Sequence, residues 1–146
     1  MADFQEFTRR MRLRAARVPE NAAKVQRKAA LATDQALVLA TPVDTGRARS
    51  NWRVTLSFPS RDVVDAFAPG KDLGAGERLN AQQAINHARS VLSEHGAGKD
   101  IYIANNLPYI VRLNEGHSAQ APAGFVDEAV QTGLSVFRNA RLLDED

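Results

Sequence analysis

Thr41-Pro42-Val43-Asp44-Thr45-Gly46-Arg47-Ala48-Arg49-Ser50, followed by Asn51 to Phe58, is the stretch where a long helical pattern stops and the clearest strand pattern starts. Pro42 supplies the stop, since it has no backbone N–H and pushes Thr41 away from helical geometry. Asp44 and Thr45 have side-chain oxygens that fold back onto nearby amides, and Gly46 permits a sharp turn. From Trp52 the period changes to two: Trp52, Val54, Leu56 and Phe58 alternate with Arg53, Thr55 and Ser57, which predicts a half-buried strand with Trp52 and Phe58 in the core. Helix, rigid corner and strand form the frame of the chain.

Upstream of the corner, Phe4, Phe7, Met11, Ala15, Val18, Ala22, Val25, Ala29, Ala32, Ala36 and Leu39 recur at spacings of three and four. This predicts one amphipathic helix over 3–41, kinked or broken near Pro19 and lined in its later half by alanine, which lets a neighbour approach closely. Arg9, Arg10, Arg12, Arg14, Arg17, Lys24, Arg27 and Lys28 fill the other faces. They read first as a solvated surface and second as a phosphate-contacting one. No aromatic residue is interleaved with them, which argues against sequence-specific nucleic-acid recognition.

Downstream, residues 59–80 are rich in Pro, Gly and charge and read as an exposed loop, with a short ordered piece expected at Val63 to Phe67. Gly74-Ala75-Gly76 lacks the third glycine of a dinucleotide fingerprint and the Gly-Lys-Ser/Thr end of a phosphate loop. Asn80 and Gln83 resemble a capping box opening a middle helix that carries Ala81, Ala84, Ile85, Ala88, Val91 and Leu92 and ends at Gly96. Ile101 and Ile103 give a second short strand, also assigned to core. Asn105, Asn106, Pro108 and Tyr109 make a second corner, then Tyr109 to Leu113 form one or two helical turns closed by Gly116. Residues 117–124 are small and polar and are expected to be mobile until a partner orders them. A last helical stripe runs Phe125 or Val126, Val130, Gly133 or Leu134, Phe137 and Ala140, before the acidic Asp144-Glu145-Asp146.

The 146 residues read as a single domain with no cysteine, which excludes disulfides, thiol catalysis and cysteine-ligated zinc. No secretory signal or long apolar run is present, so a soluble protein without a membrane partner is expected. Net charge is +2, but residues 1–53 hold 11 Lys and Arg against 5 Asp and Glu, and residues 54–146 hold 8 against 12. One part of the chain can therefore attract the other part of a second copy, or an acidic partner.

Chemistry is sparse. His87 and His95 lie eight residues apart, too far for the usual i, i+4 metal pair, and His117 falls in a loop, so neither a metal site nor a cofactor is expected; the histidines read as surface or capping residues. Asp44-Thr45-Gly46 matches the catalytic tripeptide of aspartic proteases. It follows a helix and a proline instead of an apolar strand, and Arg47 and Arg49 would keep a nearby carboxylate ionised, against the shared proton that chemistry needs. Asp44 is therefore read as a turn residue and the chain as a non-enzyme, with no catalytic residues.

Four segments in order carry a resemblance: Thr41-Pro42-Val43-Asp44-Thr45-Gly46-Arg47 with Trp52 and its strand; Ile103-Ala104-Asn105-Asn106-Leu107-Pro108-Tyr109; Leu113-Asn114-Glu115-Gly116; and Ala121-Pro122-Ala123-Gly124-Phe125. Together, over residues 20–140, they resemble the minor tail, tail-completion and head–tail joining proteins of long-tailed bacteriophages. The resemblance implies an α+β fold: a small antiparallel sheet flanked by the long N-terminal, middle and C-terminal helices. It implies a structural virion protein of the neck, assembled in the host bacterial cytoplasm as a homomeric ring, expected to be a hexamer. The ring would sit at the head-proximal end of the tail, with the tail tube protein and the head connector or completion protein as partners and DNA only as passing cargo. A head-side completion protein of the same neck, or a non-specific nucleic-acid-binding module using the basic helix, are the alternatives. Glu115, Gly116, Pro122, Phe125, Arg9 and Arg10 are the candidate intersubunit or partner contacts. Glu115 stands out because a carboxylate at a helix C-terminus opposes the macrodipole.

Overall fold

A computed structural model describes residues 2–42, 47–66, 77–116 and 123–140. In chain order the elements are α1 (Ala2–Ala40), α2 (Arg47–Ser50), β1 (Arg53–Thr55), α3 (Glu77–Leu92), β2 (Tyr102–Ala104), α4 (Ile110–Asn114) and α5 (Phe125–Arg138). The fold is α+β: β1 and β2 pair antiparallel, with Arg53 opposite Ala104, Val54 opposite Ile103 and Thr55 opposite Tyr102, and helices make up most of the rest. No helix among the described residues is long and apolar enough to cross a membrane.

The helix α1 does not break at Pro19 but runs as one segment through it. An interior proline costs about 3 kcal/mol, which strong helix formers on both sides and the packing of the later half offset. Only that later half is packed. Ala23, Val25, Ala29, Asp34, Leu37 and Val38 are buried, whereas Phe4, Phe7 and Met11, at the start of the predicted stripe, are 71%, 60% and 47% exposed. The first 19 residues of α1 therefore form an arm roughly 28 Å long, at about 1.5 Å per residue, that stands clear of the body.

Two apolar clusters fill the body. Leu37 and Val38 pack with Trp52, Ala81, Ala84, Phe125 and Ala129; Val54, Ala88 and Leu92 form the second, edged by Ala30, Leu31, Ile101 and Ile103. Alanine dominates α1 and α3 where they meet, so those helices approach closely. The approach of α5 to α1 is closer still: a Cβ on Gly133 would lie 1.8 Å from Thr33 Oγ1 and 3.0 Å from the Ala29 carbonyl oxygen. Consequently Phe125, Ala129 and Gly133 make the buried face of α5, while Val130, Leu134 and Phe137 of the predicted stripe remain exposed.

Three further expectations are corrected. The strand ends at Thr55, whose hydroxyl donates to the Phe58 carbonyl and bends the chain, leaving Phe58 71% exposed and outside the core. Asn80 does not cap α3: it lies inside the helix, buried, within hydrogen-bond distance of the Ser50 hydroxyl, and α3 starts earlier, at Glu77. Val63 to Ala66 carry no regular element. The middle helix ends at Leu92, before Gly96, and the expected mobile segment lies outside the described residues up to 122.

Candidate functional site

The first corner begins where α1 runs out of partners for its last carbonyls. Thr41 donates its hydroxyl to the Leu37 carbonyl, and Pro42 is buried behind it. Arg49, in α2, is only 7% exposed and turns its guanidinium back onto α1, with Nε donating to the Thr41 carbonyl at 2.8 Å and Nη2 to the Leu39 carbonyl at 3.0 Å. A cation there satisfies orphan acceptors and meets the negative end of the helix dipole. Val43, Asp44, Thr45 and Gly46 lie outside the described residues; Arg47 opens α2. The Trp52 indole donates to Thr41 Oγ1 at 2.7 Å, so helix end and strand start share one buried hydroxyl.

The second corner is built onto the first. Asn105 Nδ2 donates to the Ala48 carbonyl at 3.0 Å while its Oδ1 accepts from the Leu107 amide, fixing its own turn. Asn106 Nδ2 donates to the Ser60 carbonyl at 2.6 Å. From the other side Asn51 works as a strand substitute: its Nδ2 donates to the Arg47 and Val64 carbonyls and its Oδ1 accepts from the Val64 amide. Four segments distant in sequence, 47–52, 60–64, 105–107 and the end of α1, thus form one hydrogen-bonded block. Pro108 and Tyr109 lie on its outer side, Tyr109 as the N-cap residue of α4, and between them and Asn106 only Leu107 is buried.

Asn114 supplies the third junction. Its carbonyl accepts from the Gly124 amide at 2.7 Å and its Oδ1 from the Val126 amide at 3.0 Å, so the end of α4 caps the start of α5. Gly116 (φ +92) and Gly124 (φ +82) occupy the left-handed region that this junction requires, and a Cβ on Gly116 would come 3.2 Å from that of Ala123. Glu115 is exposed at the C-cap of α4. Pro122 lies outside the described residues. Phe125 is 1% exposed in the main core, so its expected role as a contact residue is replaced by packing within the subunit. Arg9 and Arg10 are exposed on the arm, where both pair with Glu6, at 2.7 and 3.3 Å.

Among titratable groups, His87 is half-buried, and burial followed by the nearby Arg53 charge pushes its imidazole below the usual range. His95, expected at the surface or a cap, is buried: Nε2 donates to the Lys99 carbonyl, while Arg27 and Gln26 of α1 donate to the His95 and Lys99 carbonyls, binding the 95–99 turn to the helix. Asp34 is fully buried with neither oxygen hydrogen-bonded, and burial pushes its carboxyl up to about 7. No group of three potential metal ligands occurs among the described residues.

The asparagine at 105 and 106 was legible as a turn signal but not as a cross-brace, since its acceptors are backbone groups that any sequence supplies. Arg49 had a partial signal in its position just past a helix end. Comparison of the chain with protein-family models, with curated proteins and with solved structures finds no match.

Proposed function

We propose that this chain is a structural virion protein of a long-tailed phage neck, forming a homomeric ring at the head-proximal end of the tail and joining it to the head connector. The observation that carries the reading is the junction of the corners: Asn105 and Asn106 hydrogen-bond to Ala48 and Ser60, so two of the segments on which the family resemblance rests act as one unit. A rigid block of this kind suits a protein whose work is to hold a fixed surface. The two-stranded sheet also leaves an unpaired edge on each strand, and such edges are commonly covered or paired between subunits. A head-to-tail ring uses two complementary patches per subunit and closes when the rotation between copies divides the circle.

Native mass spectrometry over a wide concentration range, with electron microscopy of assembled fractions and antibody labelling of purified particles, tests the reading. A closed ring of about six subunits and label confined to the neck are expected. Absence from purified particles would remove the proposal. Label on heads lacking tails would favour the head-side completion protein.

A second reading rests on the arm, where Arg9, Arg10, Arg12 and Arg17 are exposed. A non-specific nucleic-acid-binding module would show DNA affinity falling steeply with salt, with a log-log slope near −0.9 for each phosphate neutralised. No binding at low salt would eliminate it.

A further inference from the structure

The arm of α1 and the outer face of α5 carry the same pattern in opposite directions. Along the arm, Phe4, Phe7, Met11 and Arg14 are spaced three, four and three; along α5, Asp127, Val130, Leu134 and Phe137 are spaced three, four and three. These spacings place each set on one helical face. All three apolar residues of each set are exposed: 71%, 60% and 47% on the arm, and 42%, 40% and 47% on α5. The α5 set borders an open groove of about 260 Å³ whose other walls are Ala30, Ile101 and Ile103. That lies below the roughly 300–1,000 Å³ of typical small-molecule sites and has a shape that a helix face covers.

We infer that the arm of one copy lies antiparallel on the α1–β2–α5 groove of a second copy, pairing Phe4 with Phe137, Phe7 with Leu134, Met11 with Val130 and Arg14 with Asp127. The arm cannot fill its own groove. The groove floor is residues 29–33 of the same helix, and Phe7 stands roughly 33 Å from Ala29 along the axis at about 1.5 Å per residue. Nor can the chain's own C-terminus cover the arm: α5 ends beside Val25 and Lys28, six residues reach at most about 22 Å, and Phe7 is roughly 27 Å beyond Val25. Charge favours a second copy as the occupant, because the arm between Phe7 and Val18 has five arginines and no acid, while residues 54–146 hold 12 acidic against 8 basic residues. The two patches differ, so the contact is head-to-tail. It deepens the ring reading by naming its interface, and rests on that reading only for closure into a ring.

The absence of cysteine makes the test direct. Chains carrying Phe7→Cys are mixed with chains carrying Leu134→Cys and treated with a short bis-maleimide, with Phe4→Cys and Phe137→Cys as a second pair and Gln82→Cys on α3 as the control partner. All these positions except the control's are already at least 40% exposed, and unchanged circular dichroism confirms folding. Covalent dimers from both arm–groove pairs and none with the control are expected. Arg14→Glu should weaken association at least tenfold, and adding Asp127→Arg should restore it. Rings that form without either cross-link overturn the inference and leave the ring reading standing. Cross-linked open filaments or dimers support the inference and overturn the ring. A chain that stays monomeric and uncross-linked at every concentration overturns the inference, and labelling of particles then decides the ring reading separately.

Discussion

The indole N–H of Trp52 donates to Thr41 Oγ1 at 2.7 Å, and the same hydroxyl donates to the Leu37 carbonyl, so one threonine joins the last turn of α1 to the first residue before β1. Thr41 and Trp52 are 1% and 6% exposed, which removes water as an alternative partner. The register of the strand against the helix is therefore set by a specific polar contact inside an apolar cluster.

Trp52→Phe keeps most of the ring and loses the donor. A loss of about 1 kcal/mol is expected, against about 3–5 kcal/mol for Trp52→Ala, which also opens a cavity. Thr41→Val should cost about 1–3 kcal/mol, since it leaves the buried indole N–H without an acceptor. Denaturant unfolding of both single variants and the double variant gives the coupling directly; additive losses would show that the contact is not energetically linked.

Gly133→Ala is expected to destabilise by about 1–3 kcal/mol, although alanine favours a helix over glycine by nearly 1 kcal/mol. The reason is steric: the new methyl would meet Thr33 Oγ1 at 1.8 Å and the Ala29 carbonyl at 3.0 Å, and a backbone oxygen does not rotate away. Thr33→Ala in the same chain should recover part of the loss but not all. Thermal unfolding of the three variants checks this, and a stabilised Gly133→Ala would mean that α5 stands off α1 in solution.

How much of this was legible follows from which interactions are local. Pro42, the strand alternation from Trp52 and the turn at Asn105-Asn106 act within a few residues, so the elements and the α+β class could be read. The stripe of α1 could be read as apolar, but nothing in Phe4, Phe7 or Met11 says that the body ends near Ala23. The face of α5 was misread for a related reason. Its buried line runs through Ala129 and Gly133, small residues chosen by closeness, while the larger Val130, Leu134 and Phe137 face outward. The cross-braces from Asn51, Asn105 and Asn114 end on backbone groups and leave no mark in the partner's sequence.

Asn51→Ala should release the 60–64 segment while leaving the core intact. Two hydrogen bonds, at 2.7 and 2.8 Å, tie Asn51 to Val64, and Asn106 holds the neighbouring Ser60 carbonyl. Amide exchange at Val64 is expected to accelerate at least tenfold, with a global loss of about 1–3 kcal/mol because the Arg47 carbonyl also loses its donor. Unchanged exchange at Val64 would show that the loop is held by something else.

Asp34 makes stability depend on pH in the direction opposite to a salt-bridged carboxylate. Its carboxyl is fully buried, one helical turn from Leu31 and Leu37 along α1, and burial is the whole cause of the rise from the ordinary value to about 7. With the folded pKa above the unfolded one, the folded state binds more protons between pH 4 and 7, so stability is greatest below about pH 4 and falls as pH rises, levelling off above 7. The full span is at most roughly 4 kcal/mol, because each pKa unit corresponds to about 1.4 kcal/mol. Asp34→Asn removes the ionisation and should flatten this part of the profile: the variant is expected to melt higher than the parent at pH 8 and to lose that advantage at pH 4. Melting temperatures of both chains from pH 4 to 8 make the comparison. A parent profile that instead rises with pH, with no difference from Asp34→Asn, would mean that the carboxylate finds a cation or water in solution that pays for its charge.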